Sequence, residues 1–167
     1  MLVIRKTKLS KKNISELVSE IKHFKHLTYF GNKTWQSFDT IYGAYVDNEL
    51  AGVLAVNHCL QWGKIGPLVV LSRFQNQKIA SKLVAHVINQ EKCKLYLASA
   101  NPAVWKIVST HAFRSLSQWF KLPIEIYFIY LKLIVTMILN RELLFLIAEL
   151  KRKKTVVHNH RHFVLLR

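Results

Sequence analysis

Two periodicities take turns along this chain. Leu2, Ile4 and then Lys6 read as a short first strand, and from Ser10 or Asn13 to Lys25 the apolar Ile14, Leu17, Val18 and Ile21 recur at helical spacing. Residues 30–35, Phe-Gly-Asn-Lys-Thr-Trp, read as a loop or the start of a short helix. Residues 40–46 and 50–58 are β-rich runs separated by the polar Asp47, Asn48 and Glu49, which predicts an antiparallel hairpin. A further apolar run over 63–71 contains Gly66 and Pro67, so a kink or bulge is expected inside that strand. The period then lengthens. Ile79, Leu83, Val84, Val87 and Ile88 share one face of a helix predicted over 76–91; Leu95, Leu97 and Ala98 form a short buried strand, and Pro102 opens a helix ending near His111.

Strand, helix, three strands, helix, strand, helix is the order of an α/β domain with a mixed sheet. The last third is less regular. Residues 113–120 suit a sixth strand, whereas 122–150 are strongly apolar, charged only at Glu125, Lys132, Arg141, Glu142 and Glu149. A membrane-spanning helix needs about 20 apolar residues, and Glu125 with Lys132 breaks the best window. Residues 124–139 and 141–150 are therefore expected as helices packed on the sheet or forming a dimer surface, before 162–166 returns as a last strand. Peripheral membrane contact is also allowed by so apolar a run beside a basic tail.

Composition refines this picture. A chain of 167 residues with 51% apolar content is long and apolar enough for one folded core. Its 25 Lys plus Arg against 9 Asp plus Glu are spread out, 16 against 6 over 1–120 and 9 against 3 over 121–167, so the surface is basic throughout. Charge alone suggests nucleic acid, but no reader motif accompanies it, and nucleic-acid binding is not expected. Cys59 and Cys93 lack a CxxC partner, which excludes a disulfide framework and a four-cysteine zinc site; free buried thiols in a reducing cytoplasm are expected. Residues 1–12 carry no apolar stretch of signal-peptide length. His158, His160 and His162 alternate and would share one face of a strand, yet no acidic or cysteine partner stands with them and no metal is expected. Trp35, Phe38 and Tyr42 read as core. The Lys-Arg-Lys-Lys run at 151–154 suits a solvated helix end or a phosphate-bearing surface.

The chemistry concentrates in residues 71–75, a polar loop that feeds a helix amino terminus. Unpaired amides and the positive end of the helix dipole can hold a phosphate there; an ordinary strand-to-helix turn is the plainer alternative. The run Val70-Leu71-Ser72-Arg73-Phe74-Gln75-Asn76-Gln77-Lys78-Ile79-Ala80-Ser81 resembles the acyl-CoA pyrophosphate loop, Q/R-x-x-G-x-G/A, of the GNAT N-acetyltransferase superfamily. Gln75 and Ala80 match it, and Lys78 stands where the first glycine belongs. Asn101 through Phe113 is similar to the family's segment from an Asn through a helix to a Gly-Phe pair, with Ala112 for the glycine.

The resemblance covers about 1–120, the acyl-CoA-binding core, with 121–167 as an apolar helical segment and a basic, His-containing last strand of the same domain. It implies a mostly antiparallel central sheet flanked by helices, and acetyl-CoA lying where the strand ending at Val70 splays from the one at 95–100. Val69, Val70 and Leu71 would pair with the pantetheine arm as an added strand does. Gln75 and the amides of Asn76, Gln77, Lys78, Ile79, Ala80 and Ser81 would hold the pyrophosphate, Arg73, Lys78 and Lys82 would add charge, and Asn101 would hydrogen-bond the arm or the opposite loop. Residues 30–35 would shape the acceptor site. Direct attack by a primary amine of a small molecule or peptide on the thioester needs no enzyme nucleophile. The family's general-acid Tyr aligns with Val108, and no Glu lies in 63–70, which leaves water or His58, Tyr42 and Ser109 for proton transfer. Those departures favour the alternative, a catalytically weak GNAT-like binding or membrane-peripheral protein.

Overall fold

The computed structural model describes residues 1–24, 27, 30–116, 118, 121–156 and 160–166, with the side chains of 152–156 left aside. Its strands are β1 (Leu2–Lys6), β2 (Thr40–Val46), β3 (Glu49–Cys59), β4 (Trp62–Val70), β5 (Lys94–Ser99), β6 (Arg114–Leu116) and β7 (Arg161–Leu165). Its helices are α1 (Lys11–Ile21), α2 (Asn32–Gln36), α3 (Ile79–Gln90), α4 (Pro102–Ser109), α5 (Ile124–Leu139) and α6 (Leu143–Val156). The strands make one sheet in the order β1-β2-β3-β4-β5-β7-β6, parallel only between β4 and β5.

Local chemistry explains most element ends. Ser10 caps α1, its hydroxyl accepting from the Asn13 amide at 3.2 Å, and Asn101 caps α4 by accepting from the Ala103 amide at 2.9 Å, with Pro102 next. Asp47 and Asn48 both take positive φ, 50° and 69°, the backbone of a tight hairpin turn whose twist matches the strands it joins. On β4 the bulge lies where Gly66 and Pro67 occur: Leu54 faces Leu68 but Val56 faces Ile65, so two residues stand opposite Ala55. Gly66 has φ +119°, which a side chain rarely tolerates.

Four expectations are corrected. The helix predicted over 76–91 begins only at Ile79, because Asn76 and Lys78 are left-handed, φ 63° and 59°. The strand predicted over 113–120 is three residues long, and 117, 119 and 120 lie outside the described residues. α1 stops at Ile21, and Lys25 lies outside the described residues. Both cysteines are half-buried, Cys59 closing β3 and Cys93 just before β5.

Each sheet face carries its own core. Leu17, Ile21, Trp35, Ile126 and Ile129 from α1, α2 and α5 pack over Val53, Val69 and Tyr96. On the other face Leu83, Val87 and Val108 from α3 and α4 cover Leu54, Ile65 and Leu95. Covered on both sides, β3 is buried without a break from Leu50 to Asn57. Beyond β6 the chain lays α5 on the first face and returns β7 between β5 and β6, setting Leu95 opposite Leu165 and Ser115 opposite Phe163.

The turn from α5 to α6 fastens that segment down. Arg141 is left-handed at φ 58°, and the Glu142 amide reaches back to the Met137 carbonyl at 2.9 Å, a helix stop of the kind usually made with glycine. The buried Glu142 carboxylate accepts from the Lys33 amide at 2.8 Å and the Thr34 hydroxyl at 2.6 Å, so it caps α2 from 108 residues away.

Candidate active site

β4 and β5 are paired only from Trp62 opposite Lys94 to Ile65 opposite Leu97. At Gly66 the bulge turns β4 aside and the sheet opens. A cavity of about 750 Å³ fills the opening, a size that takes a cofactor-scale ligand. Leu97, Ala98 and Ser99 of β5 form one wall, Val104 and Ile107 of α4 another, and His23, Phe24, Leu27 and Phe30 before α2 close the far end.

At the near end lies the loop singled out from sequence. Its approach is held by two acids one turn apart on α1: Glu20 accepts from the Ser72 hydroxyl at 2.6 Å, and Glu16 takes Arg73 at 2.5 Å. Glu49 grips the other arm of Arg73. The Gln75 side-chain amide lies 3.4 Å from the Val70 carbonyl. The first intrahelical bond of α3 runs from the Lys82 amide to the Lys78 carbonyl at 3.1 Å, so the amides of Ile79, Ala80 and Ser81 have no carbonyl one turn back. All three residues border the cavity, and the helix dipole adds a positive field there.

Of the residues expected to hold the cofactor, Val70, Gln75, Asn76, Lys78, Ile79, Ala80, Ser81 and Asn101 line the cavity; Val69, Leu71 and Gln77 do not. The strand register explains the first two. The Leu71 amide bonds the Ala51 carbonyl at 3.0 Å, and alternation therefore aims the backbone of Val69 and Leu71 at β3 and that of Leu68 and Val70 at the gap. Of the basic trio, Lys78 lines the cavity, Lys82 does not, and Arg73 is occupied by Glu16 and Glu49. The Asn101 side-chain oxygen caps α4.

The structure brings Tyr42 and His58 together away from the cavity, on Glu91. Tyr42 donates to one carboxylate oxygen at 2.6 Å and His58 Nε2 meets the other at 2.9 Å. Burial by itself would raise the Glu91 pKa, but the Tyr42 and His58 hydrogen bonds outweigh it and hold it below the ordinary value. Burial, then Glu91, pushes the Tyr42 phenol well above its usual range. His58, Glu91 and Cys93 place ligand-type atoms within 4.8 Å of one another, a grouping that Tyr42 already shares through the carboxylate. Ser109 donates to the Lys106 carbonyl at 2.9 Å, an ordinary helix back-bond outside the cavity.

Sequence reasoning missed the titratable groups that do face the gap. Lys64, one pair before the strands part, sends its ammonium to 5.1 Å from the Tyr130 ring, and it borders the cavity together with His23 and His160. No Asp or Glu lines the cavity among the described residues. Behind Lys64, the Tyr96 hydroxyl lies 2.8 Å from His162 Nδ1 and 3.4 Å from the Tyr130 hydroxyl. Burial raises the pKa of both tyrosines and lowers that of His162. The three histidines expected on one strand face are thus separated: His160 lines the cavity, His162 pairs with Tyr96, and His158 lies outside the described residues.

Comparison with solved structures finds the same architecture. The N-acetylglutamate synthase of Neisseria gonorrhoeae, complexed with coenzyme A and N-acetyl-glutamate, superposes with a TM-score of 0.63 at 18% identity over 100% of this chain. This chain spans only 36% of that enzyme. Rv2747 of Mycobacterium tuberculosis, solved with CoA, gives 0.64 at 12% identity over 99% of both chains. The diaminobutyrate acetyltransferase of Paenibacillus lautus, with its substrate and coenzyme A, gives 0.58 at 14% identity over 70% of this chain and 80% of its own. A sequence search of curated proteins finds no match. The model of the acetyltransferase (GNAT) family matches residues 12–113, from the start of α1 to the residue before β6, which is more than half of the sequence. With the parted β4 and β5 and the open α3 amides lying inside that match, the chain belongs to the GNAT acetyltransferase family.

Proposed function

We propose that this protein transfers an acetyl group from acetyl-CoA to a primary amine of a small molecule or peptide by direct attack. The observation that carries the reading is the gap between β4 and β5, open to the backbone of Leu68 and Val70 and ending at the free first turn of α3. Those groups suit an extended amide-bearing arm and a pyrophosphate respectively. Acetyl-CoA supplies the activated thioester: the amine forms the new C–N bond, the C–S bond breaks, and the proton shed by the nitrogen goes to the departing thiolate. What the chain adds is position, an aligned acceptor in a site walled by Phe24, Leu27 and Phe30. In this reading His23 and His160, the imidazoles that border the cavity, relay the proton.

The cavity lining also bears on substrate. Lys64, His23 and His160 belong to it without a carboxylate among the described residues, which suits an amine carrying its own carboxylate and disfavours a polycation. An amino acid fits that description, and two of the structural neighbours are named for amino-acid acceptors. Calorimetry with acetyl-CoA tests the first half of the reading: one-site binding is expected, and no heat at high cofactor concentration would sink it. Thiol release with a panel of amino acids, peptides and polyamines tests the second. Turnover with polyamines alone would reverse the acceptor assignment.

A further inference from the structure

The α5–α6 pair presents an apolar face left exposed among the described residues. Twelve of the sixteen large hydrophobic residues exposed among the described positions lie on these two helices. On α5, Ile126, Ile129, Leu133 and Met137 turn inward, while Ile124, Phe128, Leu131 and Ile138 recur at helical spacing on the opposite side. Leu143, Ile147 and Leu150 share one face of α6, flanked by Leu144, which is 80% exposed. Exposed patches of this extent mark an interaction surface.

We infer that this face lies on an anionic lipid bilayer. Charge decides between the occupants. The acids at and just before α6 are turned away: Glu142, in the turn before it, is buried on α2, and Glu149 is buried as well. Lys132, the cation inside the stripe, is neutralised by Asp39, its ammonium 2.7 Å from one carboxylate oxygen and 2.9 Å from the other. Glu125, half-buried in the first turn of α5, is the remaining acid of the two helices. Around the stripe stand the exposed Lys121, Arg141 and Lys151, and Lys151 opens the Lys-Arg-Lys-Lys run at 151–154. A second copy of a chain with net charge +16 would set the same basic rim against itself, whereas lipid phosphates and carboxylates complement it.

The helices lie on such a surface and do not cross it. α5 has 16 residues, about 24 Å at 1.5 Å each, short of the ~30 Å hydrocarbon core, and no described helix is long and apolar enough to span. α5 is apolar on both sides, one packed on the sheet and the other free to sit at the headgroup boundary, with the basic residues at the helix ends meeting the lipid phosphates.

The test is co-sedimentation of the full chain with phosphatidylcholine vesicles, with and without phosphatidylserine. Binding to the anionic vesicles is expected, weakened about tenfold or more by the triple change Phe128→Gln, Leu131→Gln and Leu144→Gln, with melting by circular dichroism as the fold control. In Phe128→Trp, tryptophan emission should shift to the blue on anionic vesicles only, a readout that keeps the inference open to refutation even where the triple variant does not fold. Absence of vesicle binding, or equal binding by a folded triple variant, would overturn it. So would a concentration-dependent dimer, or an acidic protein partner, that the same three changes release while vesicles are ignored.

Discussion

Lys78 holds a backbone conformation that its side chain opposes. At φ 59° and ψ 17° it starts α3 in the left-handed region, where a residue with a Cβ is about 1 kcal/mol worse off than glycine. Lys78→Gly should therefore raise stability by somewhat under that amount, since glycine also loses more freedom on folding, and a small rise in melting temperature would register it. The same ammonium borders the anion end of the cavity, so the variant should bind acetyl-CoA more weakly and with a shallower dependence on salt. Calorimetry at two ionic strengths reads both; an unchanged salt slope would place the ammonium away from the phosphates. Ala80 is the complementary case. Its small side chain borders the cavity beside the open amides, and Ala80→Phe should abolish acetyl-CoA binding while the melting transition stays in place. Full affinity in a folded Ala80→Phe protein would remove the pyrophosphate from this loop.

Between elements, the decisive contact is that of Glu142 with α2. A Cβ built on Gly31 would lie 2.3–2.5 Å from the Glu142 carboxylate, and Glu142 cannot retreat without uncapping Lys33 and Thr34. Gly31→Ala should cost roughly 1–3 kcal/mol in urea unfolding, and in the double variant with Glu142→Ala the two costs should sum to more than is measured. Strict additivity would mean the carboxylate has room to move. Nothing local announces this pairing, because 108 residues separate Glu142 from Thr34 and each reads alone as surface polar. Glu91, which gathers Tyr42 and His58, hides for the same reason. What was legible was local or periodic: the Asp47-Asn48 turn, the Gly66-Pro67 interruption that became the bulge, and the Gln75 to Ala80 spacing in a loop that borders the cavity. The start of α3 was misplaced by three residues because apolar spacing does not register a left-handed Asn76 or Lys78.

For the molecule as a whole, buried titratable groups set the response to acid. Burial holds His162 below its ordinary value near 6.5, so below that pH the unfolded chain binds more protons than the folded one and stability falls. Glu91 is held below the ordinary 4.5, and its contribution, present above that value, is lost only as pH drops through the lower folded pKa. Urea midpoints should therefore decline from about pH 6.5 downward and again below about 4.5; His162→Gln should flatten the first decline alone, and an unaltered first decline would assign it to another group. The position of β7 carries a consequence for how the chain is made. A ribosome releases β5 and β6 well before residues 161–165, and until those emerge β5 offers a bare edge and β6 lacks the neighbour between them. Nascent chains stalled before residue 160 should accordingly be held by chaperones and be sensitive to protease, whereas chains stalled with 161–165 clear of the tunnel should resist it. Synthesis of this chain exposes an unfinished sheet together with the apolar α5 and α6, and the strand that closes the sheet is translated after both.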